Sequence, residues 1–141
     1  MKLENQVSNL ELSKKLKELG VEQESLFYHH NYSLTAYGWS EWNYIDKKWF
    51  ISDETYKYEL NTSDDHCKEH PKEAEEYSAF SVAELGEDIP SEFLNLIKKD
   101  EVGRLRWNIK DYICYETTEA NSRAKMLIYL IENKELLKTN E

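Results

Sequence analysis

The residues best suited to chemistry fall in two places, His29-His30 and the run Asp64-Asp65-His66-Cys67-Lys68-Glu69-His70. In the second, His66 and His70 would share a helical face, and Cys67 or Asp65 would supply a further ligand. A structural zinc ion takes four ligands from two spaced pairs. The remaining candidates, His29-His30 and Cys114, match no such spacing, so His66, Cys67 and His70 read as polar loop residues and no metal is expected. His29-His30 follows the apolar run Leu26-Phe27-Tyr28, which on a strand places one imidazole inward and the other outward. Spacing alone pairs neither with a serine, cysteine or acid, and a general base needs a reacting partner. Glycine-rich phosphate loops, nucleophile elbows and dinucleotide fingerprints are missing from the sequence. Neither catalysis nor a cofactor is expected.

Carboxylates are the other chemical resource. The 141 residues carry 28 acids and 18 bases, a formal charge of −10. Residues 53–101 hold 15 of the acids against 5 lysines, so this stretch accounts for the whole excess. Such a field repels nucleic acid and anionic membrane and favours a basic partner. Carboxylates meet Lys and Arg through charge-assisted hydrogen bonds, often bidentate with Arg. The expected partner-binding residues are Glu54, Glu59, Asp64, Asp65, Glu69, Glu73, Glu75 and Glu76, with further acids near 84–92. The bland counterpart is a solvated face that keeps the chain in solution.

Aromatic residues precede and enter the acidic stretch: 11 of 18 lie between Phe27 and Tyr58. A base-stacking platform comes with Lys and Arg, whereas this segment offers only Lys47, Lys48 and Lys57. Most of these rings read as core, with a minority as anchors for a protein partner. The sequence excludes a membrane span, since its longest apolar run, 126–131, is far too short. It starts with no secretory signal, and Cys67 and Cys114 do not make a disulfide framework, so a cytoplasmic setting is expected.

The elements that must hold these residues follow from periodicity. Ser8 reads as a helix cap, with Val7 stapled to Leu12, a stripe of Leu12, Leu16 and Leu19, and Gly20 as the stop. Strands are expected at 25–30, 33–39, 42–52 and 55–60, and a loop over 61–77. Ser81 and Glu84 form a capping box, with Gly86 as a second stop, and Pro90 opens a short helix that turns Phe93, Leu94 and Ile97 inward. Residues 104–116 read as a hairpin turning at Lys110-Asp111, and 119–137 as the strongest helix, buried on more than one side. The expectation is one α+β domain, an antiparallel sheet of about five or six strands packed by N-terminal, central and C-terminal helices.

Three segments, VSNLELSKKLKELGVEQESLFY (7–28), AFSVAELGEDIP (79–90) and ANSRAKMLIYLIEN (120–133), resemble a set of small proteins carried by phages and prophages. One branch of that set comprises anti-CRISPR proteins, inhibitors of the type II RNA-guided DNA nuclease. The resemblance implies a phage-linked, non-enzymatic protein of the host bacterial cytoplasm that blocks the basic nucleic-acid channel of such a nuclease with its acidic surface. It implies protein binding without direct nucleic-acid binding. The alternative is a phage accessory or modulatory domain that binds another protein or a small molecule, its acids merely solvating. The matching segments are fold elements, and no functional residue carries over onto them.

Overall fold

The computed structural model describes residues 2–31, 49–53 and 75–135. The chain is α+β: among the described residues, six antiparallel strands form two three-stranded sheets with helices packed on them. Expected strands at 33–39 and 55–60, most of that at 42–52, and nearly all of the 61–77 loop lie outside the described residues.

Helix α1 (Leu10–Glu18) starts one residue later than the sequence implied. Asn9, not Ser8, caps it, its side chain accepting from Leu12 N–H at 2.9 Å. Ser8 is buried and bonds sideways instead. Its Oγ accepts the Phe80 N–H at 3.0 Å and shares a 2.8 Å hydrogen bond with the Ser13 hydroxyl. The helix ends at Gly20, whose φ of +90° suits a residue without Cβ. There Val21 N–H reaches the Leu16 carbonyl and Gly20 N–H the Lys17 carbonyl, the paired bonds of a Schellman stop.

The first sheet has the order β2-β1-β3, with β1 (Phe27–His30) between β2 (Phe50–Ser52) and β3 (Glu76–Ala79). Tyr28 faces Ser52 and Ser78 across the two ladders, and His30 faces Phe50 and Glu76. As the central strand, β1 buries Tyr28, His29 and His30 alike, so the expected alternation of the two histidines fails. The loop reading of 61–77 also stopped too late, because β3 begins at Glu76.

Helix α2 (Val82–Asp88) carries the expected capping box. Ser81 Oγ accepts from Glu84 N–H, and a Glu84 oxygen accepts from Ser81 N–H. The helix runs through Gly86 rather than stopping there. Gly86 leaves room for Arg123: an added Cβ would displace the end of its guanidinium, which donates to the Val82 carbonyl. Pro90 then precedes α3 (Ser91–Leu94), which leans Phe93 and Leu94 on the core together with Ile97.

The second sheet has the order β4-β5-β6, from β4 (Lys98–Lys99), β5 (Leu105–Ile109) and β6 (Tyr112–Glu116). The hairpin turns at Lys110-Asp111, with Lys110 at φ +54°. Helix α4 (Glu119–Glu132), capped by Thr118, buries Ala120, Ala124, Met126, Leu127, Ile128 and Leu130 against α1, α2 and the second sheet. Among the described residues, Trp107 is the largest fully buried side chain, and its indole N–H donates to the Ser122 carbonyl at 3.3 Å. No helix among the described residues is long and apolar enough to cross a membrane.

Candidate functional site

An open groove of about 600 Å³ lies where the arm after α1 passes over α2 and α4. Its floor is apolar, built from Phe80, Ile89, Leu127 and Ile131. Its rim carries Glu22 and Glu24 from the arm and Glu87 and Asp88 from the end of α2. The Schellman stop at Gly20 sends the chain out of α1 toward this rim. Glu84 fixes the arm in place: one carboxylate oxygen closes the capping box, and the other accepts the Leu26 N–H at 3.1 Å.

Glu84 is therefore spent on the fold, but the four rim acids are not. Glu22, Glu24, Glu87 and Asp88 are exposed, and none has an ion-pair partner among the described residues. Partial desolvation, and then the adjacent Glu87 carboxylate, push Asp88 above the ordinary carboxylate value of 3.8. Burial alone raises a carboxyl's pKa, so the shift reports first the desolvation of Asp88 and only second its like-charged neighbour. An apolar floor under four free carboxylates suits the aliphatic stem and cationic head of Lys or Arg.

The acids expected at the partner surface divide differently. Glu54, Glu59, Asp64, Asp65, Glu69 and Glu73 lie outside the described residues, as do His66, Cys67 and His70. Glu75 is half-buried, one carboxylate oxygen accepting from the Tyr77 hydroxyl at 2.8 Å. Desolvation and this hydrogen bond push the Tyr77 phenol up to about 12. Glu76 is 6% exposed and lies 3.3 Å from His30 Nδ1, so it belongs to the interior and not to a partner surface. Among the described residues, no three His, Cys, Asp or Glu side chains gather as metal ligands do.

Glu76 belongs instead to a line that sequence spacing did not reveal. Ser52 Oγ lies 2.8 Å from His30 Nε2, and the Glu76 carboxylate lies near the other ring nitrogen. Serine, histidine and acid thus come one from each strand of the first sheet. His30 is 0% exposed, so the line reads as polar lacing between strands rather than as a site open to substrate. His29 is anchored separately, Nε2–H donating to the Ser8 carbonyl at 2.8 Å. Burial holds its pKa below 6.5, with the neighbouring His30 adding to the effect and the bond to Ser8 opposing it.

The rim acids Glu22 and Glu24 were overlooked because they stand outside the acidic stretch, alternating with Val21 and Gln23 just beyond a helix stop. Their only sequence signal was two acids at alternate positions ahead of a strand. Comparison of the chain with protein-family models, with curated proteins and with solved structures finds no match.

Proposed function

We propose that this chain is a non-enzymatic inhibitor that acts by occupancy, presenting uncompensated carboxylates to a basic nucleic-acid-binding channel. The observation that carries the proposal is the groove, where Glu22, Glu24, Glu87 and Asp88 stand free around an apolar floor. The −10 net charge adds a long-range field of the same sign, which speeds encounter with a cationic surface. The resemblance of segments 7–28, 79–90 and 120–133 to phage-borne proteins supplies the partner class, a type II RNA-guided DNA nuclease. In this reading the acids replace phosphate on lysines and arginines that line the guide or target channel, and target loading fails.

Two measurements test the proposal. Co-purification with a type II effector at low salt should give a stable complex, and a DNA-cleavage assay should lose product as this chain is titrated in. The combined substitution Glu22→Lys, Glu24→Lys, Glu87→Lys and Asp88→Lys should abolish both effects. Inhibition that survives the four reversals would exclude the groove as the inhibitory surface, and failure to bind any type II effector would remove the partner assignment.

A further inference from the structure

The outer face of the second sheet opposes the charge of the whole molecule. Along β5 and β6 alternate side chains point inward, where Trp107, Ile109 and Cys114 are buried. The opposite positions, Arg106, Asn108, Ile113 and Tyr115, are exposed. Lys98 pairs with Arg106 and Arg106 with Tyr115, so one row across three strands reads Lys98, Arg106, Tyr115. The next row holds Asn108 opposite Ile113. No acid occupies an outward strand position in these rows. Arg104 joins them from the preceding loop, its guanidinium carbon 4.4 Å from the Tyr115 ring centroid, with Arg106 at 6.0 Å. Asp100 neutralises Arg104 at 2.9 Å, whereas Lys98 and Arg106 have no carboxylate partner among the described residues.

We infer that this face binds a single strand of nucleic acid, with Lys98 and Arg106 on its phosphates and Tyr115 under a base. Charge complementarity selects a polyanion. The aromatic ring decides which polyanion, since a base stacks on Tyr or on a guanidinium plane. A carboxylate-rich peptide would engage Lys98 and Arg106 but brings no flat ring to stack on the Arg104–Tyr115 pair, where Tyr115 is 44% exposed. The net charge of −10 does not forbid contact. At physiological salt, fields fade over about 8 Å, so the bound strand feels mainly Lys98 and Arg106 beneath it and Asp100, whose charge Arg104 offsets, while the acids farther away slow its approach.

The test is fluorescence anisotropy with a labelled uridine oligomer of about 12 nucleotides, long enough to span one such face, at about 50 mM salt. Saturable binding is expected, with log affinity falling against log salt at a slope of about −1.4 for two phosphate contacts. Lys98→Glu with Arg106→Glu should weaken binding at least about tenfold and flatten the slope. Tyr115→Ala should cost about tenfold with the slope unchanged, and Tyr115→Phe should bind as the parent does. All these positions are exposed, and circular dichroism checks that each variant is folded. The inference is overturned by no saturable binding, by variants that bind like the parent, or by equal binding of a glutamate peptide of the same length and charge. The last result would make the face a protein-docking surface. The assay contains no nuclease and leaves the acidic groove intact, so it can fail without touching the inhibitor proposal, and the reverse also holds.

Discussion

Ser8 ties the N-terminal segment to the segment ahead of α2. Its hydroxyl accepts the buried Phe80 N–H and meets the Ser13 hydroxyl, while its own N–H donates to the Phe80 carbonyl. Ser8→Ala removes the acceptor and strands a buried backbone donor, which should cost about 1–3 kcal/mol. A urea denaturation series reads this as a lower midpoint at unchanged slope. His29 gives a second residue-scale expectation, in pH. Its folded pKa is lowered below 6.5, so the folded state favours the neutral ring. Stability from this group is complete above 6.5 and is lost as pH falls from there toward the lowered folded value, because the unfolded chain takes up the proton first. Unfolding midpoints measured between about pH 7.5 and 5.5 should fall for the parent chain and fall less for His29→Gln. Neither role was legible in the sequence. Ser8 and Asn9 are both good cap residues, and the tertiary bond to Phe80 decides between them. His29 is buried because β1 turned out to be a central strand, which its four residues could not announce.

At the scale of elements, α2 shows what local sequence grammar settles and what it leaves open. Its capping box was readable from Ser81 and Glu84, since both bonds lie within one helical turn. Ser81→Ala should cost about 1 kcal/mol of stability, measured by thermal or urea unfolding. Gly86 looked like a stop because helix-ending glycines are common, but its partner, Arg123, comes from a helix distant in sequence. Gly86→Ala sets a helix-propensity gain of about 1 kcal/mol against the displaced Arg123 guanidinium. A double-mutant cycle separates the two terms. Gly86→Ala should be neutral to destabilising in the parent, and stabilising by about 1 kcal/mol in an Arg123→Ala background. Additive effects would show that the glycine is not reserved for the arginine. The hairpin of β5 and β6 was legible from alternation about Lys110-Asp111. Two-residue β4 was not, because Lys98-Lys99 has neither β-branching nor alternation to mark it.

Among the described residues, charge is arranged by sign and not merely in excess. Carboxylates crowd the groove between the arm and α2, and cations occupy the outer face of the second sheet. The sequence showed the surplus of acid but not its placement. Glu76 sits in the acidic stretch yet is buried beside His30, whereas Glu22 and Glu24 sit outside that stretch and reach the groove. Proximity along the chain is a poor guide to proximity in space whenever strands and helices intervene. The central claim, that free carboxylates of the groove engage a cationic channel, is tested most directly by the salt dependence of binding to a purified type II effector. Affinity should fall steeply between about 50 and 200 mM salt, and reversing Glu22, Glu24, Glu87 and Asp88 to lysine should remove binding. Affinity that stays level across that range, or survives the four reversals, would contradict it.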